Sequence, residues 1–452
     1  MMTPNVSARV AERSTRWMTR AKGAVSLKRR PFVFGALVTF FALYYYRPED
    51  FIRILAPLPM ARIAGVLGFG ALLFGMMGEK VKLPKAIKFL WLLLAHMTLC
   101  IPFALWRGGA FATVVGKFSK GVVVAMLISM VIVTVRELRI LLWIQVSAVA
   151  LVTFFSIALR HYNEGGRLSG IQESILSNPN DLAINIAISF PLCLAFLLHT
   201  RGVKRMVWAA ALGVMAVGVV LTASRSGFLA LILVIVVCVW EYGIKGRRRG
   251  LVVFTIAASV LGLAIALSSS YYRARVESIV LGNIEGSGDK GSLQARKALL
   301  IKSAMTALTH PIFGVGPGCF LLLDGSWKVA HNAYTEISAE AGFPALILFL
   351  MAIGAAFKNI VQIRHSEHYR EDTEFRLFTQ ALWAGLVGYL AGSCFASTEY
   401  NLYPYFVIGY TCAMVRIASQ PIPNNAHAAT ERRLNRGIYG SALRTQPIGS
   451  RQ

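Results

Sequence analysis

The sequence predicts an all-α polytopic membrane protein, with about twelve transmembrane helices and one large external loop that contains an amphipathic helix. Three observations carry this prediction. Hydrophobic residues make up 56% of the 452-residue chain and charged residues only 15%, against about 25% charged in soluble domains. A larger core cannot supply that deficit, because surface never vanishes with size. Apolar runs of about 17–25 residues, the length that crosses a bilayer as a helix, recur along the chain. The net charge of +26 falls between those runs, as expected when Lys and Arg hold loops in the cytoplasm. That placement argues against the nucleic-acid partner a basic chain otherwise suggests.

The runs lie near 31–46, 60–78, 86–105, 114–135, 138–159, 181–199, 206–223, 226–243, 250–268, 333–357, 377–396 and 402–419. The pair 206–223 and 226–243 is joined only by "TASRSG", and so long an apolar stretch needs a turn there. Before the first run stands a basic tail, 1–30, with no small-residue cleavage site after a short apolar core, so no cleavable signal peptide is expected. Helices one to nine occupy 31–268, an external loop 269–331, helices ten to twelve 332–419, and a tail 420–452. That tail has few large apolar residues and is expected to be disordered. With the N-terminus inside, the internal segments hold most of the 47 Lys and Arg. Both termini are then cytoplasmic, and the segments 160–180 and 269–331 are external.

Inside the long loop, "GSLQARKALLIKSAMTALTHP" reads as an amphipathic helix. Ser292 is its expected N-cap, Leu293, Leu300, Ala304 and Leu308 form its apolar stripe, and Pro311 ends it. Such a helix can lie on the membrane surface. The six cysteines are scattered without a CxxC, so neither a zinc site nor a disulfide framework is indicated. No DxD-type acidic pair, metal cluster or P-loop is present, and no metal or cofactor is expected.

Several polar residues stand at membrane boundaries. Arg225 interrupts an apolar stretch, where a charge costs roughly 3 kcal/mol. It is either a snorkelling arginine at a helix end or part of an anion site at the start of the next helix. Arg296 and Arg167 are either solvated or available to grip phosphate oxygens in pairs. In "SNPNDLA", Asn178 precedes a proline and is held out of helical geometry, so Asn180 or Asp181 is expected to cap the helix; the alternative is an amide that meets a sugar hydroxyl. "GVGPG" at 314–318 reads as a tight connector, since it lacks the context of a nucleotide loop. His331 can serve as a base near neutral pH or as a structural residue. Glu336 and Glu340, four apart, share a helix face and either orient basic partners or remain solvated.

Four stretches, "GRLSG…SNPNDLA", "TASRSGF", "GSLQARKALLIKSAMTALTHPIFGVGPGCF" and "HNAYTEISAEAGFPALILF", resemble in this order the bacterial O-antigen ligase and polymerase superfamily of polytopic membrane glycosyltransferases. The resemblance covers roughly 160–360. It implies transfer of a glycan from undecaprenyl diphosphate to an acceptor hydroxyl at the periplasmic face of the inner membrane, without metal. The superfamily's essential arginines match Arg225 and Arg296, its essential histidine matches His331, and 269–331 corresponds to its periplasmic catalytic loop. Arg167, Asn178, Asn180, Asn332 and Tyr334 are then expected to bind substrate. The ligase reading, with lipid A-core as acceptor, leads. A polymerase of repeat units and a protein O-oligosaccharyltransferase are alternatives. A transporter or flippase needs polar groups near the midplane, whereas these lie at one boundary.

Overall fold

The computed structural model describes residues 31–46, 63–70, 82–163, 166–170, 178–246, 248, 250, 289–323 and 328–421. In chain order the helices are α1 (Pro31–Tyr46), α2 (63–70), α3 (Lys85–Cys100), α4 (Arg107–Val131), α5 (Val135–Ala158), α6 (Pro179–His199), α7 (Val203–Leu221), α8 (Arg225–Ile244), α9 (Asp289–Thr309), α10 (Ala333–Ile363), the short α11 (Glu367–Glu371), α12 (Thr373–Ser393) and α13 (Tyr403–Ala418). There is no strand among the described residues, only an isolated antiparallel bridge between Tyr162 and Leu168. Seven described helices are long and apolar enough to cross a membrane, so the chain has the build of a polytopic all-α membrane protein. A helix stands at each predicted run except two. The run 60–78 is described only over 63–70, and 251–268 lies outside the described residues, as do the N-tail 1–30, loop residues 269–288 and the tail from 422.

Local chemistry fixes the helix starts. Thr134 and Glu137 form a capping box on α5, Ser224 caps α8, and Asp372 caps α12, each satisfying amide donors that the first turn leaves open. The helix α6 starts at Pro179, with Asn178 as its cap. That corrects the expectation of Asn180 or Asp181 as cap and fits proline's preference for the first helical position. The helix α9 begins at Asp289, so Ser292 lies inside it rather than capping it. Its buried face is Leu299, Ser303, Thr306 and Ala307, while Leu300 and Leu308 face outward. Leu300 and Leu308 of the predicted stripe thus point away from the protein, as a helix lying on a membrane surface requires, and α9 turns a partly polar face to the protein.

Helices α6 to α8 run antiparallel through short turns, and α6 packs against α5, α7, α8 and α12. Small residues permit the close approaches. A Cβ on Gly227 would stand 2.2 Å from the Ala183 Cβ, and one on Gly388 2.3 Å from Val234. One end of the bundle carries the basic loops that bound α5, α6, α8, α10 and α12. There Arg139 pairs with Glu374, and Arg364 and Lys245 each lie 3.1 Å from the buried Glu241.

The helix α10 spans 31 residues, about 46 Å at ~1.5 Å per residue, more than a ~30 Å hydrocarbon layer. It is broken at Gly342, whose φ of 78° is left-handed, and Pro344 follows. The break frees carbonyls of residues 339–341, and each finds a new donor. Val315 N–H meets Ala339 O at 2.9 Å, Gly316 N–H meets Glu340 O at 2.8 Å, and His96 Nε2 of α3 lies 2.8 Å from Ala341 O. In return Phe343 N–H donates to Pro311 O at 2.8 Å. The connector 314–318, expected as a tight turn, is the piece that repairs the break. A Cβ on Gly342 would lie 2.2 Å from Ile312 O. Gly342→Ala should therefore lower the thermal midpoint of the detergent-purified protein, since a left-handed alanine costs more than about 1 kcal/mol before any clash. Gly213→Ala, which meets nothing within 4 Å, should leave the midpoint in place. Equal midpoints for both variants would contradict this account of the break.

Candidate active site

The end of the bundle opposite the basic loops collects the polar residues singled out in the sequence. The loop after α5 folds back on the α7–α8 turn, with Leu168 N–H donating to Leu221 O at 3.0 Å. Its Arg167 then reaches two elements: Nε–H donates to Thr222 O at 2.9 Å, and a terminal nitrogen donates to Asn180 Oδ1 at 2.7 Å. The same Asn180 oxygen accepts from Ser224 Oγ at 2.8 Å, and Ser224 Oγ accepts Gly227 N–H at 3.2 Å. Arg225, half-buried, is the first residue of α8, directly after this cap. Three segments distant in sequence are thus tied together through one amide. The neighbouring Asp181 accepts from Asn401 Nδ2 at 2.9 Å, which extends the network to the loop before α13.

His331 stands just before α10 on a strained backbone with φ of 56°, and Ala223, two residues before Arg225, has φ of 46°. Non-glycine residues rarely adopt this region, and where they do the surroundings must over-determine it. The His331 N–H donates to Ser397 Oγ at 3.1 Å, Ser397 donates in turn to Glu336, and Ala330 N–H donates to Glu336 at 3.0 Å. Ala333 N–H donates to Ala396 O at 3.1 Å. The helix α9 is tied alongside through Ser303 Oγ, which donates to Thr335 Oγ1 at 2.8 Å, and it carries the half-buried Arg296. Burial first, then the positive charges of Arg296 and Arg167, pull the His331 pKa down to about 4. The imidazole, Arg296 and Arg167 therefore share one electrostatic neighbourhood.

The remaining predicted binding residues have structural bonds. Asn178 and Asn332 use their side-chain oxygens as caps, Asn332 Nδ2 also donates to Cys394 O at 3.0 Å, and the Tyr334 hydroxyl donates to Leu390 O at 3.0 Å. Glu336 and Glu340 correct a second expectation. They neither orient basic side chains nor face solvent, but are buried and receive backbone donors. Glu340 accepts Gly318 N–H at 2.7 Å, Phe320 N–H at 3.0 Å and the Tyr400 hydroxyl at 2.5 Å. Sequence reasoning passed over Ser397, Glu399 and Tyr400, which lie in the polar break "STEYN" between the last two apolar runs. The Glu399 carboxyl is buried with one oxygen lacking a hydrogen bond. Burial, then the nearby Glu336 and Glu340, raise its pKa, which favours the neutral acid.

A many-helix membrane protein with arginines around a desolvated histidine at one end of its bundle is the class that this geometry defines. The family model described as O-antigen ligase matches residues 210–350. The match supports the resemblance of that stretch to the O-antigen ligase and polymerase superfamily. The match runs from within α7 through α8 and α9 into α10, and so includes Arg225, Arg296 and His331 but not Arg167 or Asn180. No curated protein matches the chain significantly.

A histidine in water titrates near 6.5. Because folding lowers the His331 value, the unfolded chain binds the extra proton first. Stability that rests on the neutral imidazole is present above about pH 6.5 and is lost as pH falls from there toward 4. Arg296→Gln removes one of the two repelling charges. The variant should raise the midpoint of His331 toward 6.5, read from the pH dependence of its carbethoxylation by mass spectrometry. An unmoved or lowered midpoint would contradict the placement of Arg296 beside the ring.

Proposed function

We propose that the chain is a membrane glycosyltransferase of the O-antigen ligase type. It moves a glycan from undecaprenyl diphosphate to a hydroxyl of lipid A-core at the periplasmic face of the bacterial inner membrane. The observation that carries this reading is that Arg167 and Arg296 act on one desolvated imidazole, while Arg167 is tied through Asn180 to the Ser224 cap of the helix that Arg225 begins. Guanidinium forks suit phosphate oxygens, and the amides at a helix start add to that field.

In the reaction the acceptor oxygen attacks the sugar carbon that carries the diphosphate. The new carbon–oxygen bond forms as the bond to phosphate breaks, and the electron pair leaves on the diphosphate. Arg225 and Arg296 neutralise the charge that builds there, an interaction stronger in the transition state than before it. His331 takes the hydroxyl proton, and Arg167 with Asn180 holds the first sugar. Base assistance of this kind contributes about 10²–10⁴-fold. A base held near pH 4 is weak in the empty protein. An anionic diphosphate between the arginines cancels the charges that depress it, so donor binding brings the imidazole toward its ordinary range. An apolar shelf supports a lipid-linked donor: α9 exposes Ile301, Met305 and Leu308, with Ile312 just beyond it, and Phe103 stacks on Phe313 with ring centres 4.4 Å apart.

Deleting the gene and restoring single variants tests this reading. The deletion strain should show unmodified lipid A-core and accumulated long lipid-linked polymer. Arg225→Ala, Arg296→Ala and His331→Ala should each reproduce that phenotype, with product down at least about 10²-fold and protein level unchanged. Single repeat units in the deletion strain would replace the ligase with a polymerase, and unglycosylated protein would replace it with a protein glycosyltransferase. Normal product in the three variants would remove the transferase reading.

A further inference from the structure

His331 lies in the left-handed region where glycine would fit without strain. A histidine holds the position because its surroundings fix it. The segment 330–333 is stitched residue by residue to the loop 394–397. Ala330 N–H reaches that loop through Glu336, His331 N–H donates to Ser397 Oγ, Asn332 Nδ2 donates to Cys394 O, and Ala333 N–H donates to Ala396 O. The centre of the seam is a relay. Ser397 commits its only proton to Glu336, so only its lone pairs can face the His331 N–H. The same Glu336 oxygen accepts from Ala330. One buried carboxyl thus sets the hydroxyl that fixes the strained residue.

We propose that Glu336 and Ser397 are positioning residues for His331: the carboxyl orients the serine hydroxyl, and the hydroxyl locks the His331 backbone so that the imidazole stays in the field of Arg296 and Arg167. This rests on the reading of His331 as the base. The charges that weigh on the ring are those of the two arginines, while Glu336 reaches the residue through its main chain. The pair therefore sets where the imidazole is rather than supplying a second base. A backbone released from φ of 56° relaxes toward ordinary values and carries the ring with it, and a shift of about 1 Å in a catalytic group costs on the order of 10² in rate.

The test uses full-length protein in proteoliposomes, with undecaprenyl-diphosphate-linked glycan as donor and lipid A-core as acceptor. Ser397→Ala and Glu336→Ala should lower kcat by about 10- to 100-fold and leave the KM for donor within about twofold, because donor binding rests on the arginines. Ser397→Thr keeps the hydroxyl and Glu336→Gln keeps an oxygen acceptor, so both should recover most of the rate. Carbethoxylation of His331 against pH reads the position without an acceptor. Its midpoint should rise toward 6.5 in Ser397→Ala and stay low in Ser397→Thr. Normal kcat and an unmoved midpoint in the alanine variants, with His331→Ala inactive, would overturn the positioning role and leave the base reading intact. Normal transfer by His331→Ala would overturn the base reading itself, and the carbethoxylation midpoints would still decide whether Ser397 holds the ring.

Discussion

Where a helix breaks inside a bilayer, its freed carbonyls must be answered by protein, because lipid offers no donor. The interruption of α10 at Gly342 and Pro344 sets this constraint. It exposes carbonyls that the 314–318 connector and His96 satisfy. The remaining geometry follows from that repair. The connector brings the end of α9 against the first part of α10, and Glu340 secures the same connector at Gly318 and Phe320. Arg296 on α9 and His331 before α10 are thereby held on one side of the break. The glycines follow from the closeness of the join: a Cβ on Gly314 would lie 2.2 Å from the carbonyl carbon of Glu340.

Charge is separated along the bundle in a way that fits a membrane enzyme. Acids at the basic end are paired with cations, as in Arg139 with Glu374 and Arg364 with Glu241. At the other end Arg296 and Arg167 weigh on the His331 imidazole, and the buried Glu336 and Glu340 accept backbone donors. An anion that enters this end meets the positive charge of Arg167 and Arg296 in a partly desolvated setting, where such charge acts strongly. On the proposed reading, the field that depresses the imidazole in the empty protein is the field that would receive the diphosphate, so that binding and activation would be one electrostatic event.

Much of the fold was legible in the sequence, because long apolar runs have few alternatives. The turn at 222–224, the placement of Arg225 on a helix start and the tight connector at 314–318 followed from local rules, but the repair of α10 by that connector did not. What escaped was tertiary. The cap of α6 moved to Asn178 because proline takes the first helical position, which freed Asn180 to join Arg167 and Ser224. The buried face of α9 carries Ser303 and Thr306, which an apolar-stripe argument passes over. Glu336 and Glu340 read as a surface pair from their spacing, and only the folded chain reveals that their partners are main-chain amides, from 20 or more residues before Glu340 and from the residue just before His331, together with the Ser397 and Tyr400 hydroxyls. The loop 394–401 carried a visible signal, a polar break between apolar runs.

The central claim is that the arginine–histidine end of the bundle faces away from the cytosol. In a cysteine-free background, cysteines at Gly166, exposed beside Arg167, and at His365, exposed at the basic end, separate the two orientations. Treating intact spheroplasts with a membrane-impermeant maleimide should label the first at once and the second only after lysis. Labelling of position 365 from outside, with 166 protected until lysis, would contradict the account.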